Sequence, residues 1–360
     1  MILMHDEREV ARIEKNGKVL VFAPEWMPYD LYLEEGADDI DTLVQNRENF
    51  NHWCATRLIP IDRKYIKEIL NSIGATQRMT DRDRAEVALS YHALSLIDLY
   101  WVREDEEDVR FSDINLYDHS LSNAFADLSL RGRSMSVENR HMIADDLNTP
   151  GMFPKAWVRE NGTFFLLKDG DEDAVERELL ASRIVSCFDI PQVIYEEDQF
   201  DDLPVSRSRI ITSMKNSLVT MEAFQIYAAN HDIDWFQEVS DRDNHSYYMM
   251  NIVDYLIGNT DRHWGNWGWL IDNETGERLR LHELMDFNRA FGSYHSIDGA
   301  MCLTVPVGMR MTQREAALEA AEKIEWKPVR PIEDVWFGDR VEWRVMFHRR
   351  MEELENSESF

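Results

Sequence analysis

Cysteine is scarce in this chain: Cys54, Cys187 and Cys302 are the only three in 360 residues, far apart and without metal-ligand spacing. That argues against a disulfide framework and a structural zinc site, and it suits a reducing compartment. Long apolar runs are missing too. Nothing approaches the roughly eighteen consecutive apolar residues of a membrane-spanning helix. His5-Asp6-Glu7-Arg8 stands where a secretory signal would carry its apolar stretch. The expectation is a cytoplasmic protein with no membrane contact. Positive charge is in deficit, 39 Lys and Arg against 68 Asp and Glu, for a formal net charge of −29. Such a surface repels phosphate backbones and anionic lipid, so direct nucleic-acid binding is not expected and a basic protein partner is. The run Glu104-Asp105-Glu106-Glu107-Asp108 is read as a solvated loop, the usual fate of charge runs, with docking of a basic partner as the other reading. Internal repeats and low-complexity tracts are absent.

What the chain has is apolar mass, 44% hydrophobic residues, enough for a large core divided over two or three domains. The pattern changes near residue 145. Upstream it is mostly helical: residues 63–72 read as a helix stopped by Gly74. Thr80 with Asp83 caps a longer helix reaching about Val102, with Val87, Leu94, Ile97 and Trp101 at helical spacing. Downstream, residues 156–160 and 163–168 flank Asn161-Gly162, the dipeptide that most readily supplies the positive φ angles of a two-residue hairpin turn. Asp173 with Glu176 opens an amphipathic helix through Phe188, Pro191 closes it, and strands follow at 192–196 and 207–214. After Lys215-Asn216 the chain turns helical, notably at 247–256. It returns to strands at 267–271 and 278–284 and ends in helices near 315–323 and 340–354. This predicts an α+β chain. A mainly helical N-terminal domain (1–145) precedes a small β-rich lobe (146–216) and a larger helical lobe (217–360), the two-lobed arrangement of protein kinases.

The chemistry concentrates in Gly258-Asn259-Thr260-Asp261-Arg262-His263-Trp264-Gly265-Asn266, between a predicted helix and a predicted strand hairpin. Phosphoryl transfer needs a carboxylate to orient the attacking hydroxyl and take its proton, and an oxygen donor nearby to hold Mg²⁺. Asp261 and Asn266, five residues apart, have the spacing that provides both from one turn. A second metal ligand is expected across the hairpin. The turn Asn273-Glu274-Thr275-Gly276 would return Asp286, in Leu284-Met285-Asp286-Phe287-Asn288, to the neighbourhood of Asn266. Two such donors suit Mg²⁺, which prefers hard oxygen ligands and shares them with phosphate.

The loop Gly-Asn-Thr-Asp-Arg-His-x-x-Asn followed by a hydrophobic-Asp-Phe segment resembles the HipA-like serine/threonine kinases of bacteria and their phages. Its Asp-Arg-His-x-x-Asn core also occurs in phosphoinositide lipid kinases. Over about residues 145–360 the resemblance implies Asp261 as catalytic base, Asn266 and Asp286 as Mg²⁺ ligands, and His263 as loop support or phosphate contact. It implies Lys168, ending Phe164-Phe165-Leu166-Leu167-Lys168, as the lysine that neutralises the α- and β-phosphates of ATP. Glu178 on the following helix is its implied partner. Arg177 precedes that Glu where the family has Asn, and Glu176 competes for the role, with helix capping as its other use. The phosphate loop, residues 148–155, holds one glycine, Gly151, and one hydroxyl, Thr149, which the family implies as an autophosphorylation site and which would equally cap a turn.

The implied activity is ATP- and Mg²⁺-dependent phosphorylation of a protein Ser or Thr, in the manner of a toxin–antitoxin toxin, with a basic antitoxin or regulator as partner. A lipid or small-molecule kinase is the alternative, opposed by the missing basic membrane-facing surface. A catalytically silent binding module is another, opposed by the intact set Lys168, Asp261, Asn266 and Asp286. Trp267 and Trp269, alternating along one strand face, are read as core rather than as a stacking platform with Trp264. His282 and His295 are read as structural or solvated rather than as a transition-metal pair.

Overall fold

The computed structural model describes residues 1–57, 80–119, 155–168, 172–200, 203–292, 300–306 and 308–357. The predicted helix at 63–72, the phosphate loop with Thr149 and Gly151, and His295 lie outside the described residues. The chain forms two compact units. One comprises Met1–Leu166, Thr212–Leu218 and Ile271–Glu277; the other comprises Leu167–Ile211, Val219–Leu270 and Arg278–Phe360. No helix among the described residues is long and apolar enough to cross a membrane.

The first unit contains a sheet that helical periodicity did not foretell. Strands β1 (Ile2–His5), β2 (Arg8–Ile13), β3 (Val19–Val21) and β4 (Tyr100–Arg103) are antiparallel neighbours in the order β3-β2-β1-β4. Every residue of the inner strand β1 is buried, so it lacks the in-out alternation by which a strand is recognised. Helix α1 (Ile40–Thr56) is capped by Asp39, which accepts the Thr42 N–H at 2.9 Å. Helix α2 (Asp81–Leu89) has the expected Thr80/Asp83 capping box but ends well short of Val102. His92 and Ala93 take left-handed φ angles of 60° and 52°, and the Ala93 N–H returns to the Ala88 carbonyl at 2.8 Å. The chain therefore reverses there, and Trp101, on the helical stripe by spacing, lies in β4. A short helix, α3 (Phe111–Ile114), follows. The acidic run is only partly a solvated loop: Asp105 pairs with Arg12 at 2.8 Å, and Glu107 is buried 3.7 Å from His92.

Strands β5 (Lys155–Glu160) and β6 (Thr163–Lys168) are joined by Asn161-Gly162 with φ of 50° and 80°, the turn the dipeptide predicts. After helix α4 (Glu172–Val185) come β7 (Tyr195–Phe200) and β8 (Leu203–Arg209), both displaced from the predicted spans, giving the sheet order β5-β6-β8-β7. Strand β9 (Asn216–Thr220), helix α5 (Met221–Asn230), helix α6 (Trp235–Ile257), and strands β10 (Gly268–Asp272) and β11 (Arg278–Leu281) follow. The three strands pair in the order β11-β10-β9. Helices α7 (Gln313–Ala321) and α8 (Val341–Ser357) complete the described elements.

Two features of α6 position the loop that follows it. Asp243 leaves helical geometry (φ −154°, ψ 57°), and its carboxylate caps the next turn through Ser246 N–H while also taking the Leu281 N–H at 2.9 Å. This carboxylate thus ties the helix to β11. At its far end α6 is stopped by Gly258 at φ +67°, a left-handed position where a β-carbon would also lie 3.1 Å from the Arg350 guanidinium. The last turns of α6 are buried on every side, Ile252, Val253, Tyr255, Leu256 and Ile257 included. Trp267 and Trp269 are buried as expected, and Trp264 packs edge-on against Trp235 at 5.0 Å. All these groups lie in the second unit.

Candidate active site

A buried ammonium is the centre of the site. The Lys168 side chain at the end of β6 donates to Glu178 Oε1 (2.7 Å), Asp286 Oδ1 (3.1 Å) and the Tyr195 hydroxyl (3.2 Å). Burial alone would drive this lysine toward its neutral form; Glu178, Tyr195 and Asp286 oppose it and hold the pKa well above the ordinary value. The lysine stays cationic. Glu178, one turn and a half into α4, is itself buried, and its second oxygen accepts the Ser206 hydroxyl from β8. Both carboxylate oxygens are thereby satisfied, which fixes the side chain.

Glu176 does something else. Its carboxylate takes the Arg340 guanidinium (3.0 Å), which also reaches Asp173 (2.7 Å), so the expected capping pair Asp173 and Glu176 is instead an ion-pair cluster on the outer side of α4. The reason is geometric: Asp173 and Glu176 are three residues apart on one face of α4, where one guanidinium reaches both carboxylates. Exchanging Glu178 for Gln should therefore lower the thermal midpoint by several degrees, because it weakens a buried charge pair. Glu176→Gln, at an exposed ion pair, should change it by about a degree or two at most. Melting curves of the two variants check this, and a reversed order would reassign the lysine's partner.

The loop after α6 is built on a second buried charge pair that sequence reasoning passed over. Arg262 is 2% exposed and grips Asp254, in the last turn of α6, with two bonds of 2.8 and 3.0 Å. Its remaining nitrogen donates to the carbonyls of Asn266 (3.1 Å) and Met285. One guanidinium thus joins the end of α6, the Asn266 end of the loop and the residue before Asp286. Burial disfavours the charged guanidinium, but Asp254 more than compensates, and its pKa is raised. Asn259 adds a bond to the same Asp254 carboxylate at 3.0 Å.

Within the loop, Asp261 presents its side chain to solvent while its carbonyl accepts from His263 N–H (2.8 Å) and Asn266 Nδ2 (3.0 Å). That bond uses the amide nitrogen of Asn266 and leaves its oxygen as the group it can offer a cation. His263 is exposed, with Nδ1 accepting the Gly265 N–H at 3.1 Å, a contact that supports the loop. Asp286, half-buried, has φ +62° and donates its N–H to the Tyr195 hydroxyl at 3.1 Å. His282 is buried, donates from Nδ1 to the Glu283 carbonyl (2.8 Å), and is pushed by burial down to about 4, a neutral structural imidazole. A cleft of about 450 Å³ lined by residues including Val329, Phe347 and Met351 shares no residue with the site.

Among the described residues no three His, Cys, Asp or Glu side chains cluster as a metal cage. One amide oxygen and one carboxylate suit a hard cation that draws its other ligands from phosphate and water, as Mg²⁺ does. Asn266 and Asp286 fit that description.

No family model matches the sequence, and no curated protein matches it. Among solved structures, the chain is similar to HipA of the Shewanella oneidensis MR-1 toxin–antitoxin system, in a structure with HipB and its operator DNA. The likeness has a TM-score of 0.51 at 9% identity and covers 100% of this chain and 99% of that one. The fold is HipA-like. A proinflammatory kinase of Helicobacter pylori, CtkA, is similar over 58% of this chain and 91% of its own, with a TM-score of 0.45 and 13% identity. The HipA-like fold is the two-lobed kinase-like architecture expected from the order of elements. Of the anticipated site residues, Lys168, Glu178 and Asp286 meet directly, and Arg262 joins the carbonyl of Asn266 to that of Met285, the residue before Asp286. Tyr195, Ser206, Asp254 and Arg262 are additions. Only Arg262 carried a local signal, its place beside Asp261 in the loop.

Proposed function

We propose that this chain is a phosphotransferase that uses ATP and Mg²⁺ to phosphorylate a Ser or Thr hydroxyl of a protein, residues 146–216 acting as its small lobe and 217–360 as its helical lobe. The observation that carries this reading is the buried Lys168 ammonium shared by Glu178 and Asp286 in the same unit as the Asp261–Asn266 loop. An ammonium so held is a fixed positive charge for phosphate oxygens. Asn266 and Asp286 would hold Mg²⁺, and the bound ion supplies neutralisation of the transferring phosphates. Asp261, exposed at the mouth of the loop, would hold the acceptor hydroxyl and accept its proton. The strongly acidic balance favours a basic protein as partner or substrate over an anionic lipid. HipA stands beside HipB in its solved complex, and an antitoxin is accordingly the regulator we propose.

Calorimetric titration with ATP tests the metal assignment. Binding should be tight with Mg²⁺ or Mn²⁺ and weak in excess chelator. Asp286→Ala should abolish nearly all turnover with the thermal midpoint little changed. Equal affinity in chelator, or an active Asp286→Ala, would move the metal site elsewhere.

A further inference from the structure

We propose that Tyr195 is a positioning residue for the metal–phosphate site: its hydroxyl sets the backbone of Asp286 and steadies the Lys168 ammonium, so that both present a defined face to one nucleotide. The role of the nucleotide rests on the phosphotransferase reading; the geometry of Tyr195 does not. The Tyr195 oxygen accepts two hydrogen bonds, from Lys168 Nζ at 3.2 Å and from the Asp286 N–H at 3.1 Å, and a phenol oxygen has the lone pairs for both. The ring is buried, stands edge-on to Phe287 at 6.0 Å, and lies 4.8 Å from the same ammonium.

The surroundings show why the hydroxyl rather than the ring matters at Asp286. The segment before β7 is laced to the segment before Asp286: Leu284 N–H donates to Pro191 (2.8 Å) and Val193 N–H to Leu284 (2.9 Å). That backbone ladder stops at Leu284. Two residues later Asp286 takes φ +62°, a left-handed conformation uncommon for residues with a β-carbon and tolerated best by Asn and Asp. There the Asp286 N–H donates to the Tyr195 hydroxyl, a further bond between the two segments. Tyr195 is itself anchored through its N–H to the Ser182 hydroxyl (3.1 Å), one turn beyond Glu178 on α4. The helix carrying the lysine's partner and the backbone of the metal-ligand candidate are thus linked through one residue, by its backbone N–H on one side and its hydroxyl on the other.

Tyr195→Phe deletes the hydroxyl and keeps the ring. Two readouts are taken on the full chain: hydrogen exchange of the Asp286 amide without ligand, and the Mg²⁺ concentration that half-saturates ADP binding in calorimetry. The variant should speed Asp286 exchange by about tenfold or more and raise the half-saturating Mg²⁺ by about tenfold, with the thermal midpoint close to wild type. A ring that served only packing would leave both unchanged in the Phe variant, and that result overturns the proposal. Wild type that binds Mg·ADP in this Tyr195-dependent way yet phosphorylates no protein keeps the positioning role and removes the kinase reading. Wild type that binds no Mg·ADP removes both. If Tyr195→Phe does not fold, Ser182→Ala, which retains ring and hydroxyl but frees the anchor, takes its place. Faster Asp286 exchange in that variant supports the linkage, and unchanged exchange overturns it.

Discussion

Asp261→Asn should lower phosphoryl transfer by about 10³-fold or more while leaving ATP and metal binding close to wild type. The substitution is nearly isosteric and removes the carboxylate charge that would take the acceptor proton. The loop's own hydrogen bonds run through the Asp261 carbonyl, which accepts from His263 and Asn266, so exchanging the exposed side chain leaves the turn in place. The loss should therefore appear in kcat, with little change in the nucleotide dissociation constant or the thermal midpoint. Expression of the variant should also relieve any growth inhibition caused by the wild type. The measurement is a single-turnover rate alongside calorimetry. A variant that phosphorylates at near wild-type rate would mean a HipA-like fold without the proposed mechanism.

The second large effect is expected at Arg262. Replacing it with Met removes a buried cation and strands the Asp254 carboxylate, 3% exposed, with Asn259 as its remaining named partner. Breaking one side of such a pair costs about 3–5 kcal/mol. In a unit of this size that lowers the thermal midpoint by roughly 10 °C. The double variant Arg262→Met with Asp254→Leu removes both charges and should recover much of that stability, because no unpaired ion is left. It should not recover activity, since the guanidinium also holds the carbonyls of Asn266 and Met285. Melting curves and rates of the two singles and the double test this. A single variant that melts with wild type would show that the clamp bears no load.

What the sequence determined on its own are features set by a few adjacent residues. Asn161-Gly162 specified its turn through positive φ, Thr80 and Asp83 their capping box, and Gly258 the end of α6 through a left-handed residue. The spacing of Asp261 and Asn266 marked the loop because both side chains belong to one turn. The order of hairpin, helix, strands and helices was legible too, since each element has its own period, and it carried the fold class. The tertiary structure alone decided the partners. Tyr195 and Asp286 are 91 residues apart, Lys168 and Asp286 118, and a hydrogen bond at that separation leaves no periodic trace in the chain. The same holds for β1, which packing buries on every residue, and for Glu176, which Arg340 draws away from the cap from 164 residues along the chain. Local conformational preference acts over a turn or two, whereas the pairing of buried charges is settled by which elements pack together.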